Sequence, residues 1–267
     1  VQMILSPLVA ALAAGNTALL KPSELAPASS TALAKLVAET FDPKVVVVIE
    51  GDGRVAQALL EQAIDFIFFT GGTGIGRKVA EAAAHHLIPC VLELGGKSPV
   101  IVAADADIDL AAKRVAWGKF INAGQTCIAP DYALVERSVM PAFVEGLKRH
   151  IAAFYGEDPR RSPDYGRIIN DRHLSRLSGY LSDGRVVHGG QADPAGRYLA
   201  PTLIEDAPLD SALMREEIFG PILPIVPVAG VDEAIRFVNA RPKPLALYVF
   251  SRSRARQDKV LSQAQSG

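Results

Sequence analysis

The 267-residue sequence has little cysteine, a single tryptophan and almost no net charge. Its two cysteines, Cys90 and Cys127, are too few for a disulfide framework and form neither a Cys-x-x-Cys pair nor a metal-ligand spacing. This cysteine usage fits a reduced, cytoplasmic setting. The formal net charge is −1, and no basic stripe is visible, which argues against nucleic acid as a main partner.

The sequence also lacks an uninterrupted apolar run that could span a membrane. The first twenty residues are apolar, but Pro7, Gly15 and Asn16 interrupt them and no basic segment precedes them. We therefore predict neither a membrane span nor a signal peptide. Apolar residues make up 49% of the chain and charged residues 21%, which is typical of a globular protein with an ample core.

Short apolar strands alternate with helices in the first third of the chain. We predict strands at 17–21, 45–49, 65–70 and 91–94, and helices at 4–14, 28–40, 53–63 and 75–86. This alternation predicts a doubly wound parallel α/β sheet, which binds ligands beyond the carboxyl ends of its strands. The run 45–49 is uniformly β-branched, so we expect both of its faces to be covered, and we expect 65–70 to form another buried strand.

The remaining residues predict a second α/β lobe without internal repeats. We predict strands at 99–102, 132–135, 185–187, 201–204, 222–227 and 245–251. We predict helices at 108–120, 139–154, 171–182, 231–239 and from about 253 to the end of the chain.

A glycine-rich loop, 70–76, follows one predicted strand and opens the next helix. Such a loop can hold pyrophosphate at the positive end of a helix. It does not match the Rossmann G-x-G-x-x-G pattern, and Arg77 stands where a Walker A loop needs lysine. No tyrosine is followed by a lysine four residues later, which excludes the short-chain dehydrogenase signature. A glycine turn without a ligand is the alternative.

Two polar clusters resemble metal sites but lack the necessary ligands. Asp105, Asp107 and Asp109 imitate a calcium loop, yet a leucine and an alanine occupy the positions that need glycine and glutamate. His85 and His86 close a predicted helix with no carboxylate or cysteine at ligand spacing. We therefore expect no metal site.

Two side chains are candidates for chemistry, Cys127 and Glu93. Cys127 follows a Gly-Gln-Thr turn, which favours an accessible thiol over the buried, inert cysteine that is the alternative. Glu93 lies at the end of an apolar strand, where a carboxylate is costly unless it is solvated or used. An edge-strand glutamate turned to water is its alternative. Lys21 and Glu24, beyond another strand, form either a surface ion pair or a ribose-binding pair.

Five stretches together resemble the NAD(P)-dependent aldehyde dehydrogenase superfamily, in the order found in that family. Residues 13–24 resemble its adenosine-ribose segment, and residues 69–76 resemble its pyrophosphate loop. Residues 93–99 resemble its general-base signature, 124–127 its nucleophile signature and 216–221 its nicotinamide-ribose stretch. The form Asn-Ala-Gly-Gln-Thr-Cys-Ile-Ala-Pro-Asp-Tyr, 122–132, resembles the class 3 branch, which includes coniferyl-aldehyde dehydrogenases.

The resemblance implies an aldehyde dehydrogenase-like α/β fold. It implies a partial dinucleotide-binding domain at 1–94, with a partial doubly wound sheet, and a C-terminally truncated catalytic domain at 95–267. Cys127 would be the nucleophile, and Glu93 the base that activates water to hydrolyse a thioester. Cofactor binding would fall to seven residues: Lys21, Glu24, Gly71, Thr73, Gly76, Glu217 and Phe219.

The same resemblance implies NAD as cofactor, with NADP as the alternative. Glu24 can accept a hydrogen bond from a ribose 2′-hydroxyl but repels a 2′-phosphate, whereas the adjacent Lys21 would tolerate one. The implied substrate is an aromatic or medium-to-long aliphatic aldehyde, and the full-length enzyme is expected to be a homodimer.

The sequence departs from the family pattern at both ends. The family's Trp-Asn-(Phe/Tyr)-Pro segment, whose Asn holds the oxyanion, would lie before Val1, and the only tryptophan here is Trp117. The first Rossmann strand and the family's C-terminal segment are also missing, so we expect an interior fragment with unpaired strand edges and exposed apolar faces. A catalytically impaired dinucleotide-binding fragment is therefore an alternative function, and a cofactor-free cysteine acyl hydrolase is another.

Overall fold

The computed structural model describes all residues, 1–267, and the chain divides into two compact units, Val1–Leu94 and Gly95–Gly267. In the first unit, helices and strands alternate. Helices α1 to α4 span Gln2–Ala13, Pro27–Thr40, Gly53–Leu60 and Thr73–His85, and strands β1 to β4 span Ala18–Leu20, Val46–Val48, Ile67–Gly71 and Cys90–Leu94. None of the helices of the chain has the length and apolarity that crossing a membrane requires.

The strands of the first unit are parallel, as predicted, but they do not form one sheet. β1 pairs with β2 and β3 pairs with β4, which gives two separate two-stranded sheets. Each pair therefore has unpaired edges, as the resemblance led us to expect. The partial doubly wound sheet that the resemblance implies is therefore present as two parallel strand pairs, since no strand within 17–94 joins them.

The strands are also less buried than their apolar sequences suggested. In β3, Ile67 is buried, whereas Phe66 and Phe68 on either side are 54% and 44% exposed. Val46 of β2 is buried, but the preceding Val45 is 41% exposed. Successive side chains of a strand point to opposite faces, so only one face of β3 packs against the unit's helices. The expectation that both faces of 45–49 are covered is therefore wrong, and 65–70 is buried on one face only.

Two small hydrophobic clusters hold the first unit together. One joins α1 and α2 to β1 and β2 through Leu8, Leu20, Leu33, Val37 and Val46. The other joins α4 to β3 through Ile67, Val79 and Ala83. Each cluster belongs to one strand pair.

The second unit is built on a six-stranded sheet. The strands of this unit, β5 to β12, span Pro99–Val102, Tyr132–Glu136, Arg185–His188, Ala192–Asp193, Tyr198–Leu199, Thr202–Glu205, Ile222–Val228 and Tyr248–Phe250. Of these eight, β8 and β9 form a separate antiparallel hairpin. Helices α5 to α10 span Ile108–Phe120, Met140–Tyr155, Asp171–Gly179, Ala212–Arg215, Val231–Asn239 and Arg254–Gln263. The strand order is β12-β5-β6-β11-β10-β7, and only β7 is antiparallel to its neighbour.

Helices cover both faces of this sheet. Val100 and Val102 of β5 belong to a large cluster with α5 and α6. Ile101 between them belongs to a second cluster with α9 and Val260 of α10. Alternate residues of one strand thus enter two different cores, which is the mark of a sheet buried on both sides. The predicted second α/β lobe is present. The last helix ends at Gln263 rather than at the end of the chain.

Candidate active site

Cys127 is half-buried in a turn that follows an unusual backbone segment. Helix α5 ends at Phe120, and the following short helical turn contains three successive residues with positive φ: Asn122 and Ala123 at +52° and Gly124 at +73°. A left-handed backbone costs an ordinary residue roughly 1–2 kcal/mol. The segment leading to Cys127 must therefore be held in place by contacts outside it.

The side chain of Gln125 supplies these contacts. Its amide nitrogen donates to the carbonyl oxygens of Asn122 at 3.1 Å and Arg167 at 2.9 Å. Its amide oxygen accepts from the backbone N–H of Ile169 at 2.9 Å. Gln125 thus fastens the left-handed segment to the loop 166–169. The sequence motif identified this glutamine but did not indicate the loop that it binds.

A tyrosine holds the other side of the Cys127 turn. The Tyr248 hydroxyl donates to the carbonyl oxygen of Ile128 at 2.6 Å. Burial raises the pKa of Tyr248, and the negative charge of a Cys127 thiolate raises it further. Tyr248 therefore fixes the turn that carries Cys127 and lies near its side chain. Nothing in the sequence pattern of β12 indicated this role.

Apolar side chains are exposed around the same turn. Trp117 is 56% exposed, Ile121 41% and Ile128 49%. Trp117 and Ile121 are linked by a helical hydrogen bond at the end of α5, and Ile128 follows Cys127 directly. An exposed aliphatic side chain therefore adjoins Cys127 in the sequence, and Trp117 and Ile121 are exposed in the segment that precedes it.

A buried ion pair fixes the loop that contains Glu217. Lys97 pairs with Asp131, and their side chains are only 10% and 4% exposed. The Lys97 ammonium also donates to the carbonyl oxygens of Leu213 at 2.8 Å and Glu216 at 2.9 Å. Asp131 Oδ1 accepts from the backbone N–H of Ile218 at 2.9 Å. The pair therefore holds the 213–218 segment through three hydrogen bonds to its backbone.

Glu217 itself is half-buried and lies against a glycine. Burial raises the pKa of its carboxyl, while the nearby Gly96 backbone N–H acts in the opposite direction. A Cβ at Gly95 would stand 2.0 Å from Glu217 Oε1, so a side chain at this position would displace the Glu217 carboxylate. Arg176 supports the loop from α7 by donating to the carbonyl oxygen of Ile218 at 2.7 Å. The next residue, Phe219, has a left-handed φ of +46° and is 38% exposed.

Lys119 of α5 lies near this network without joining it. The side chain is fully buried, and its ammonium nitrogen has no hydrogen-bond partner. Burial lowers the pKa of Lys119 from 10.5 to about 8, against the attraction of Asp131. The sequence analysis did not single out this residue. Its position four residues after Val115 and seven after Ala112, which are both buried, was the available signal.

In the first unit, the structure brings Lys21 and Glu24 together beyond β1. The Lys21 ammonium donates to Glu24 Oε2 at 2.8 Å. This hydrogen bond is the main reason why the pKa of Glu24 is lowered. This geometry is compatible with both the surface ion pair and the ribose-binding pair.

The glycine loop before α4 has two kinds of glycine. A Cβ at Gly71 or Gly76 would stand 2.5 Å from the side chain of Phe69 or Leu94, so these two glycines permit close packing. Gly72 and Gly74 have no atom near the place of a Cβ. No side chain caps α4, which starts at the exposed Thr73. The open, uncapped helix start fits an anionic group such as pyrophosphate.

Glu93 is half-buried on β4, opposite Thr70 of β3. It belongs to the first unit, whereas Cys127 belongs to the second. The pairing of these two residues stays a prediction. The same holds for a joint cofactor site that combines Lys21, Glu24 and the glycine loop with Glu217 and Phe219.

The chain is similar to known proteins over its whole length. Residues 1–267 match the aldehyde dehydrogenase family model. Over 265 residues the chain is 48% identical to "Aldehyde dehydrogenase, dimeric NADP-preferring" of Rattus norvegicus, which covers 99% of this chain and 58% of the rat protein. It is 46% identical to "4,4'-diaponeurosporen-aldehyde dehydrogenase" of Staphylococcus aureus, over 100% of this chain and 58% of that protein.

The fold comparison agrees with the sequence comparison. The substrate-bound structure of Staphylococcus aureus AldH superposes with a TM-score of 0.96 at 46% identity, over 98% of this chain and 58% of that one. The chain thus spans a little over half the length of the curated relatives it matches. Its sequence and its fold establish that the chain belongs to the aldehyde dehydrogenase family.

Proposed function

We propose that this chain carries the nucleophile and most of the cofactor-binding residues of an enzyme that oxidises aldehydes to carboxylic acids. The observation that carries the proposal is the half-buried Cys127, which follows a left-handed segment fastened by Gln125. Such a segment stores strain, and strained backbone is concentrated at functional sites. The family membership supports the same reaction class.

In the proposed reaction, the Cys127 thiolate adds to the aldehyde carbon and forms a thiohemiacetal. The backbone N–H of Cys127 has no acceptor in the chain, so it is free to donate to the oxyanion. Bound NAD would supply the acceptor for the hydride of this carbon. Cys127 then holds the acyl group as a thioester. Glu93 takes a proton from the water that attacks the thioester, which releases the acid and restores the thiolate.

We assign cofactor binding to residues of both units. Lys21 and Glu24 would hold the adenosine ribose, and the uncapped start of α4 at Thr73 would hold the pyrophosphate, with Gly71 and Gly76 shaping its loop. Glu217 would hold the nicotinamide ribose, with Phe219 beside it. The functional domains would then be 1–94 for the dinucleotide and 95–267 for catalysis.

We propose NAD as the preferred cofactor, because an ionised Glu24 repels a 2′-phosphate. NADP is the alternative, since Lys21 adjoins Glu24 and the rat relative is named NADP-preferring. Comparing the affinities for NAD and NADP tests this preference, and tighter NADP binding would contradict it.

The exposed Trp117, Ile121 and Ile128 support an apolar aldehyde, aromatic or medium-to-long aliphatic. The name of the Staphylococcus aureus relative points to an aldehyde substrate of its own. We further propose a homodimer for the full-length protein, since the rat relative is named dimeric, and a cytoplasmic location. The cytoplasmic proposal depends on the cysteine usage alone.

A second candidate function is a catalytically impaired dinucleotide-binding fragment. The split sheet of the first unit and the exposed Phe66 and Phe68 favour it for the 267-residue chain by itself. Hydrogen exchange and size-exclusion chromatography of this chain, with and without NAD, test it. A compact species that turns over aldehyde would exclude this alternative.

The main proposal is tested by NADH formation from an apolar aldehyde in the full-length protein. Cys127→Ala should abolish NADH formation, and Glu93→Gln should slow steady turnover. Cys90→Ala is the matched control, because Cys90 lies at the start of β4 and packs against that unit's cluster. Unchanged turnover in both Cys127→Ala and Glu93→Gln would refute the proposal. NAD-independent ester cleavage without aldehyde oxidation would favour an acyl hydrolase.

A further inference from the structure

The turn that carries Cys127 contains a series of hydrogen bonds that begins at Tyr248. The Tyr248 hydroxyl donates to the carbonyl oxygen of Ile128 at 2.6 Å. The N–H of the same peptide group, which belongs to Ala129, donates to the carbonyl oxygen of Thr126 at 3.0 Å. The peptide group of that carbonyl carries the N–H of Cys127, which has no acceptor in the chain. Two peptide groups therefore link the Tyr248 hydroxyl to the N–H that is free to donate to an oxyanion.

The hydrogen bonds of this series all run in the same direction. A carbonyl that accepts a hydrogen bond polarises its own peptide group, so the N–H of that group becomes a stronger donor. The Tyr248 hydroxyl thus strengthens the Ala129 N–H, which in turn polarises the peptide group of Cys127. Because peptide groups are planar, the same two bonds also fix the orientation of both groups. The Cys127 N–H is therefore oriented and polarised from the Tyr248 end of the series.

The Tyr248 side chain is anchored at its ring and donates at its hydroxyl. The residue begins β12 and pairs with Val100 of β5. Its half-buried side chain packs against the large cluster on one face of the six-stranded sheet. Burial raises the pKa of the hydroxyl from its ordinary value of 10. The hydroxyl therefore remains protonated, and able to donate, at the pH of about 8.5 at which an ordinary thiol ionises.

Tyr248 is the only side chain that holds the backbone on the C-terminal side of Cys127. Among residues 127–130, only the carbonyl oxygen of Ile128 has a hydrogen bond from a side chain. Gln125 acts on the other side, where it binds the backbone of Asn122 and of the loop 166–169. The segment before Cys127 therefore keeps its own support when the Tyr248 hydroxyl is removed.

We propose that Tyr248 is a positioning residue, which orients the N–H of Cys127 toward the oxyanion through the peptide groups of 126–129. This inference rests on the proposed function, because it takes the oxyanion-donor role of that N–H from there. A donor whose direction is already fixed needs no reorganisation when negative charge develops on the carbonyl oxygen. Loss of the Tyr248 hydroxyl should therefore slow the reactions of Cys127 that form an oxyanion and spare those that do not.

The test compares two reactions of the same thiol in the full-length protein without a cofactor. In acylation by p-nitrophenyl acetate, the thiolate adds to the ester carbonyl and forms an oxyanion, which collapses to a thioester and expels nitrophenolate. In alkylation by iodoacetamide, the thiolate displaces iodide from a saturated carbon and no oxyanion forms. Mass spectrometry of the peptide that contains Cys127 follows both rates.

Tyr248→Phe keeps the ring and removes only the hydroxyl. We expect acylation of Cys127 to slow about tenfold, because the N–H donor loses its orientation but stays in place, whereas complete loss of an oxyanion-hole donor costs about 10²- to 10³-fold. Alkylation should stay within about twofold of the wild-type rate, since it develops no charge for that donor to stabilise. NADH formation from an aromatic aldehyde should slow as acylation does, with the affinity for NAD unchanged.

Tyr155→Phe is the matched control, because the Tyr155 ring packs against Tyr165 and its hydroxyl makes no hydrogen bond in the chain. It should react like the wild type with both reagents. Wild-type acylation in Tyr248→Phe would overturn the inference. Equal slowing of acylation and alkylation would also overturn it, because that result describes a tyrosine that only stabilises the turn. A wild-type protein that is acylated at Cys127 but forms no NADH would overturn the proposed function alone.

Discussion

Replacing Lys119 by methionine should stabilise the protein, because the side chain is fully buried and its ammonium nitrogen has no hydrogen-bond partner. Burial lowers the pKa of this lysine from 10.5 to about 8. That difference corresponds to a cost of about 3 kcal/mol for the buried charge. Methionine is unbranched and of similar length, so it fills the same space without a charge. We expect the free energy of unfolding at neutral pH to rise by about 1–3 kcal/mol.

The stability difference between wild type and Lys119→Met should depend on pH, which a change in packing alone would not produce. Because the pKa of Lys119 is lower in the folded protein than in the unfolded chain, the unfolded chain binds more protons between about pH 8 and 10.5. The cost of the charge is therefore fully present below about pH 8 and disappears as the pH rises above it. The stability advantage of Lys119→Met should be largest at neutral pH and shrink in alkaline solution.

Urea unfolding of wild type and variant, at neutral pH and near pH 10.5, measures this difference. All other titrating groups are common to the two proteins, so their contributions cancel in the comparison. Lys113→Met, on the exposed side of the same helix, should show no pH-dependent difference from wild type. A variant that is less stable at neutral pH, or an advantage that does not change with pH, would refute the reasoning.

Three further substitutions test the parts of the site separately. Asp131→Asn leaves a buried lysine without its counter-charge and should lower the free energy of unfolding by about 3–5 kcal/mol in urea. Gln125→Met removes three hydrogen bonds and should slow alkylation of Cys127 by iodoacetamide while leaving the affinity for NAD unchanged. Gly95→Ala places a methyl group against the Glu217 carboxylate and should weaken NAD binding without changing the rate of thiol alkylation.

Each of these has a matched control on the surface or in open space. Asp109→Asn breaks an exposed ion pair and should cost less than about 1 kcal/mol. Gln191→Met changes an exposed glutamine and Gly53→Ala adds a methyl where no atom lies nearby, so both should behave like wild type. Equal effects of a test substitution and its control would contradict the role given to that residue.

The regular elements of the second unit could be predicted closely from the sequence. The bounds of β5, α5 and α9 agree to the residue, because each has a capping residue, a proline or a clear periodicity at its limits. The hairpin strands Ala192–Asp193 and Tyr198–Leu199 and the helix Ala212–Arg215 were not predicted. Elements of two to four residues are too short to show any periodicity.

The first unit shows where sequence patterns stop being informative. An apolar strand such as 65–70 indicates that its side chains can be buried, but not whether another strand or helix is present to bury them. Phe66 and Phe68 are exposed, although the residues around them in the sequence are typical of a buried strand. The pattern therefore predicted the strand correctly and its environment incorrectly.

For the site too, the sequence indicated the residues but not the contacts that hold them. Cys127, Glu217 and the glycine loop belong to local motifs and were recognised from them. The contacts that hold them were not, since they join residues far apart in the chain: Gln125 and Arg167 are separated by 42 residues, and Lys97 and Glu216 by 119. Only the folded chain shows that Asp131 and Lys119 flank the Glu217 loop.

The central claim, that Cys127 forms a covalent acyl intermediate which Glu93 helps to hydrolyse, can be measured directly. The full-length Glu93→Gln protein is mixed with NAD and an aromatic aldehyde, quenched in acid and digested for mass spectrometry. We predict that the acyl group is found on the peptide containing Cys127, and that it is absent when NAD is omitted or when Cys127 is replaced by alanine. NADH formation without an acyl group on Cys127, or an acyl group on Cys90, would contradict the account.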